Sequence, residues 1–119
     1  MPAVRSNPIK NRLYITLRGR DKADMVDYVQ KIESACKALA PSFTCLLVLQ
    51  TTGMIRQKDK DLIFKTTDLI SAYGAGRVAY VGETKKNPQS YWFNPVFFQT
   101  FIPIEHARSI KEAEAILDG

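Results

Sequence analysis

The run FTCLLVL at residues 43–49 constrains the fold more than any other stretch of the sequence. It is almost continuously apolar and rich in branched side chains, and it is too short for a buried helix. A strand of this kind is covered on both faces, which predicts a central strand with helices above and below the sheet. We therefore expect Val48 to be buried in the middle of a sheet.

The segments around this run alternate between strand and helix patterns. Apolar and polar residues alternate with period two at residues 11–19, and RVAYVG at 77–82 is a second short apolar segment. Residues 21–39 carry an apolar stripe at helical spacing, and a helix is also expected at 59–73, with Asp59 as its cap and Gly74 as its stop. A last strand at 100–104 is expected at a sheet edge because it contains Pro103. Ser109 and Glu112 form a capping-box pattern at the start of a final helix.

This order predicts an α/β fold with a mostly parallel or mixed sheet of four or five strands and about three main helices. The 119 residues suffice for one domain and not for two. Residues 1–10 are expected to form an extended N-terminal arm or an edge strand. We predict a cytoplasmic protein with no membrane insertion, because no apolar segment is long enough to span a bilayer and the N-terminus does not look like a signal peptide.

The net charge of +5 is concentrated near the N-terminus. Residues 1–22 contain six basic residues and one acidic residue, whereas the remaining 97 contain 11 of each. A solvated basic edge is the simplest interpretation, and an acidic or phosphate-bearing partner is the alternative. We do not expect nucleic acid among the partners, because no recognition helix or aromatic sheet accompanies the basic segment.

The sequence resembles the STAS domain of anti-sigma factor antagonists and of the cytoplasmic tails of sulphate transporters. LYITLRG, CLLVLQ and the closing phrase FIPIEHARSIKEAEAIL carry the resemblance, which extends from Asn11 to Leu117 and is greatest to small stand-alone bacterial STAS-like proteins. The resemblance implies a single STAS-like domain and a non-enzymatic role in regulation or protein interaction, with another protein as a possible partner.

The sequence departs from the regulatory members of the family at one position that matters. In those proteins a strand like 43–49 ends in an Asp-Ser-Ser-Gly-Leu segment, and a serine at the helix start is phosphorylated. Aligning Leu62 with that leucine places Lys58, Asp59, Lys60 and Asp61 before it, so neither serine is present. These four residues are the candidate regulatory loop, with a fixed carboxylate where a phosphate would stand.

No residue pattern points to catalysis, a metal or a cofactor. His106 is the only histidine and is interpreted as a surface residue, and Cys36 and Cys45 are interpreted as reduced core thiols. The turns that follow the first two strands offer a weak candidate anion site at Arg18, Arg20, Thr51 and Thr52. We predict no enzymatic activity and no cofactor.

Six of the twelve aromatic residues lie within residues 91–101. The candidate interface or pocket in this aromatic segment comprises Tyr91, Trp92, Phe93, Phe97 and Phe98. The segment can serve as core, as a homodimer surface or as an apolar ligand pocket, because aromatic side chains bury large areas in all three. We expect a homodimer, and the alternative function is the binding of a small apolar ligand here or of an anionic ligand at the strand-end turns.

Overall fold

The computed structural model of the chain describes residues 3–18, 25–50, 57–82 and 102–119, with the backbone alone at 18, 25, 49, 50 and 57–63. The described part is an α/β structure with five strands and three helices. The strands are β1 (Ala3–Asn7), β2 (Arg12–Arg18), β3 (Thr44–Gln50), β4 (Arg77–Gly82) and β5 (Ile104–Ala107). The helices are α1 (Met25–Lys37), α2 (Gln57–Ala72) and α3 (Ile110–Asp118). These elements confirm the predicted fold class.

The five strands form one mixed sheet in the order β1-β2-β3-β4-β5. β1 is antiparallel to β2, and the other three pairings are parallel. β3 is therefore the central strand, as its apolar run predicts, and Val48 is buried within it. β1 is an edge strand, which is one of the two roles expected for residues 1–10.

Helices cover the two faces of the sheet unequally. On one face, α1 and α2 pack over a core that includes Ile32 and Ile70. The strand residues of that core are Leu13, Ile15, Leu17, Cys45, Leu47, Val78 and Tyr80. On the other face, α3 packs Ala113 and Leu117 against β3, β4 and β5. The two-sided cover accounts for the nearly uniform apolar character of β3.

The apolar stripe of α1 includes a residue that the sequence pattern did not single out. Tyr28 is buried together with Ile32 and Cys36, four and eight residues further along the helix. Its hydroxyl forms a short hydrogen bond with the hydroxyl of Thr66 on α2. This bond gives a partner to both polar groups, which burial would otherwise leave unsatisfied. Val26, by contrast, is exposed.

The structure places three predicted helix boundaries at or near their expected positions. α2 begins at Gln57, two residues before the predicted cap Asp59, so Asp59 lies in the first turn. Gly74 follows the helix with a φ of 94°, a left-handed conformation that favours glycine and stops the helix as predicted. The last helix begins as predicted, because the Ser109 hydroxyl accepts a hydrogen bond from the Glu112 amide at 3.1 Å.

The last strand was predicted too early in the chain. β5 is Ile104–Ala107, so Pro103 precedes the strand. The Pro103 carbonyl still accepts a hydrogen bond from the Val78 amide at 2.9 Å. Because proline lacks an amide hydrogen, Pro103 can accept a backbone hydrogen bond but cannot donate one. β5 begins with the next residue, Ile104, which has an amide hydrogen. The predicted edge position is correct, since β5 pairs with β4 alone among the described strands.

Candidate functional site

The candidate regulatory residues Lys58, Asp59, Lys60 and Asp61 belong to the first turns of α2. They lie at the start of the helix, where the sequence placed the candidate regulatory loop, and they are part of the helix itself. α2 follows the central strand β3, which ends at Gln50. The carboxyl ends of parallel strands open on one edge of a sheet, where α/β domains usually bind their ligands. The helix start follows that edge in the chain, and acidic residues in the first turn of a helix are generally favourable there.

The other two predicted sites fall largely outside the described residues. Tyr91, Trp92, Phe93, Phe97 and Phe98 all lie there, so the aromatic segment stays a prediction. Of the weak anion site, Arg20, Thr51 and Thr52 also lie there. Only the backbone of Arg18 is described, as the last residue of β2.

His106 lies within β5, whereas the strand predicted at 100–104 would have ended before it. It is exposed, as predicted, and its ring packs against that of Tyr80, with centroids 4.9 Å apart and planes at 46°. Its neighbour Glu105 pairs with Arg77 in the adjacent strand. Successive strand residues point to opposite faces of a sheet, so Glu105 is not placed to orient His106 as a general base.

A polar cluster that sequence reasoning missed ties the last helix to the sheet. Arg12 on β2 is only 3% exposed, although the basic N-terminal segment was interpreted as solvated. Its three guanidinium nitrogens are all engaged: Nε donates to Thr44 Oγ1 at 2.9 Å, and the terminal nitrogens donate to Glu114 at 2.7 Å and Asp118 at 2.8 Å. Glu114 and Asp118 are four residues apart, so both lie on one side of α3.

Two further side chains complete this cluster, which we call the Arg12 clasp (Lys10, Arg12, Tyr14, Thr44, Glu114 and Asp118). The Tyr14 hydroxyl donates to the same Glu114 oxygen as Arg12, at 2.8 Å, and Lys10 Nζ donates to the other oxygen at 3.4 Å. Charge-assisted bonds of this kind are stronger than neutral ones. The clasp therefore holds α3 against β2 and β3.

The clasp shifts the pKa values of its members in directions that suit a structural role. Burial raises the pKa of Glu114, but hydrogen bonds from Tyr14 and Arg12 outweigh burial and hold that pKa below its ordinary value of 4.5. Burial and the Glu114 carboxylate raise the pKa of Tyr14. Burial lowers the pKa of Arg12, yet its bonds to Glu114 and Asp118 leave it raised. Both oxygens of Glu114 accept hydrogen bonds from the protein, so this carboxylate is poorly placed to act as a base.

The two cysteines are buried and not joined by a disulfide, as predicted. Burial raises the pKa of the Cys36 thiol to about 11 and raises that of Cys45 as well. Thiols in this state are poor nucleophiles because the thiolate is the reactive form. Within the described ranges, no group of three or more histidine, cysteine or acidic side chains could hold a metal ion. No helix there is long and apolar enough to cross a membrane.

A groove lies beside the edge strand β1, between it and α1. Its volume is about 570 Å³. From β1 it is lined by Val4, Arg5 and Ser6, and from α1 by Asp27, Gln30, Lys31, Ser34 and Ala35. The lining is mostly polar, and Lys31 pairs with Asp27 across one helical turn at 3.2 Å. No sequence motif marks this groove, because it is formed by two elements of different type that meet only in the folded chain.

Comparison of this chain with protein-family models, with curated proteins and with solved structures finds no match.

Proposed function

We propose that this chain is a non-enzymatic protein-interaction domain of STAS type that binds its partner through the first turns of α2. The observation that carries the proposal is the position of residues 58–61, which begin the helix that follows the central strand. In the regulatory proteins that the sequence resembles, this is the position of the switch. A cytosolic setting fits the two reduced, buried thiols.

The proposed binding is constitutive and not switched by phosphate. Neither serine of the family segment is present, and Asp59 and Asp61 carry fixed negative charges in its place. Each carboxylate carries less charge than a phosphate and fewer acceptor oxygens. A partner that recognises residues 58–61 would therefore meet aspartates in place of a reversible phosphate.

The state of the reactive groups also supports a role without catalysis. Both thiols are buried with raised pKa values, and Glu114 is bound by Arg12 and Tyr14. His106 packs on Tyr80 and has no acidic neighbour on its own face of β5. A nucleophile paired with a positioned base is the usual requirement of covalent catalysis, and these residues do not supply one.

The concentration of aromatic residues at 91–101 supports two further proposals from the sequence. One is a homodimer that buries Trp92, Phe93, Phe97 or Phe98. The other, the alternative function, is a site for a small apolar ligand in that segment or for an anion near Arg18 and the turns. A thermal-shift screen tests for ligand binding, because a ligand that binds the folded state raises the melting temperature by mass action.

The main proposal is tested by charge reversal at the start of α2. Three immobilised chains are compared as baits in an extract of the source organism: wild type, the double variant Asp59→Lys/Asp61→Lys and the control Asp68→Lys. Asp68 is exposed and lies further along the same helix. Any captured protein is then purified and its affinity for the three chains is measured by calorimetry.

We expect a partner that binds wild type and the Asp68 variant equally. It should bind the double variant at least about tenfold more weakly, because charge pairs at the interface are lost. Thermal melting of all three chains checks that each is folded. A partner that binds the double variant as tightly as wild type would refute the proposed surface. The absence of any specific partner would refute the proposed function.

A further inference from the structure

The outer edge of β1 is open in the described structure. β1 lies at one end of the sheet and pairs only with β2, over Ala3–Asn7. Alternate residues of an antiparallel edge strand direct their amide and carbonyl groups away from the neighbouring strand. Such groups are a template for a further strand, and proteins often bind extended peptides in this way.

The groove beside this edge provides space for the side chains of an added strand. Val4 and Ser6 point to the α1 side of the sheet, because they pair with the core positions Ile15 and Leu13. The groove continues from these residues to Ser34 and Ala35 on α1, and the whole space is about 570 Å³. The small residues Ser6, Ser34 and Ala35 leave room there for alternate side chains of a strand that pairs with β1.

The charge at this edge favours an acidic partner. Residues 3–18 contain four basic residues and no acidic residue. Lys10 and Arg12 bind the carboxylates of α3, but Arg5 is exposed and stacks over the Tyr14 ring, with its guanidinium carbon 4.6 Å from the ring centroid. This cation–π contact holds the Arg5 head group on the Tyr14 side of the sheet, although Arg5 is also one of the residues that line the groove.

We propose that the β1 edge binds an acidic peptide segment in extended conformation, which adds to the sheet as a sixth strand. A carboxylate of the peptide lies opposite Arg5 on one face, and the alternate small side chains enter the groove on the other. A second copy of this chain fits less well, because two β1 strands would bring Arg5 toward Arg5 without an acidic residue in either strand. This surface is separate from the start of α2 and goes beyond the function proposed above.

The inference is tested with labelled eight-residue peptides in which glutamate alternates with valine, by fluorescence anisotropy. Lysine replaces glutamate in one control peptide. Two further peptides carry N-methyl groups on alternate backbone nitrogens, one on the glutamates and the other on the valines. In a strand, alternate amides point in the same direction, so only one of these two sets can donate to β1.

The expected result is binding of the glutamate peptide, no binding of the lysine peptide, and loss of binding for one methylated peptide alone. Arg5→Glu weakens the binding of the glutamate peptide roughly tenfold, as expected for the reversal of one interfacial charge. Arg108→Glu is the matched control, since Arg108 is exposed and follows β5 at the other end of the sheet. Amide chemical shifts should change at Ala3–Asn7 and remain constant in α3.

Three outcomes would overturn the inference. One is the absence of binding by the glutamate peptide. Another is equal behaviour of the two methylated peptides, whether both bind or both fail, because strand addition requires them to differ. The third is self-association that changes with Arg5→Glu, which would assign the edge to a second copy. The variant Asp59→Lys/Asp61→Lys leaves β1 intact and must bind the peptide like wild type, so failure here is distinct from failure at α2.

Discussion

The guanidinium of Arg12 on β2 donates to the carboxylate of Glu114 on α3 at 2.7 Å, although 102 positions separate the two residues in the chain. Arg12 is buried, Glu114 is partly exposed and Asp118 is exposed. Removal of the arginine would leave Glu114 with fewer donors and would remove two hydrogen bonds that attach the helix to the sheet.

The first prediction concerns the stability that the clasp contributes. We expect Arg12→Met to lower the free energy of unfolding by about 2–3 kcal/mol, because charge-assisted hydrogen bonds to Glu114 and Asp118 are lost from a largely buried position. Tyr14→Phe removes a single bond to Glu114 and should cost about 1 kcal/mol. Urea denaturation measures both values. Arg108→Met, at an exposed position, is the control, and an Arg12→Met variant as stable as this control would contradict a stabilising role.

The second prediction concerns acid pH. Because the folded-state pKa of Glu114 lies below its ordinary value of 4.5, the unfolded chain takes up this proton at a higher pH than the folded chain. The stabilisation is therefore fully present above that ordinary value and is lost as the pH falls through the folded-state pKa. Glu114→Gln should be less stable than wild type at pH 7 and lose less stability between about pH 5 and pH 3.

The control for this pH experiment is Asp68→Asn, since Asp68 is an exposed carboxylate on α2, away from the clasp. Denaturation curves at a series of pH values should show the wild-type acid dependence in the control. Parallel pH profiles for Glu114→Gln and wild type would show that Glu114 is not linked to folding in this way.

The third prediction concerns the two cysteines. Cys36 is 4% exposed with a pKa raised to about 11, and Cys45 is fully buried. At pH 8 both should react slowly with a thiol reagent, because burial blocks access and keeps the thiols protonated. Both should become reactive together in urea, along the unfolding curve. Fast stoichiometric labelling of either thiol in native buffer would rule out the buried arrangement.

The fourth prediction concerns association through the aromatic segment. Sedimentation at micromolar concentration should give the mass of a dimer, and Trp92→Ala combined with Phe97→Ala should shift it toward the monomer, because large aromatic side chains dominate interface energies. Ile9→Ser is the matched control, since Ile9 is 97% exposed. A wild-type monomer at every accessible concentration, with the fluorescence of a buried Trp92, would mean that the segment is core.

The success of the fold prediction has a local origin. The apolar run at 43–49 and the helical spacing of Ile32 and Cys36 each depend on a few neighbouring residues, whose period reports which face is buried. The errors occur where the burial or the pairing of a residue depends on another element of the fold. The pattern could not show that Tyr28 is buried, because its hydroxyl is satisfied by Thr66 on another helix. Nor could it show that β5 begins after Pro103, since a strand boundary depends on which residues pair with the neighbouring strand β4.

The sequence by itself determined the alternation of strands and helices, the central position of β3 and the cap at Ser109, since each follows from periodicity or from a side chain that bonds within three residues. Only the tertiary structure decided that Arg12, a basic residue of the N-terminal segment, is buried and donates hydrogen bonds to Glu114 and Asp118 of α3. It also decided that β1 and α1 form a groove. Such contacts join positions far apart in the chain, and their energy depends on distance, burial and direction, which no local pattern encodes.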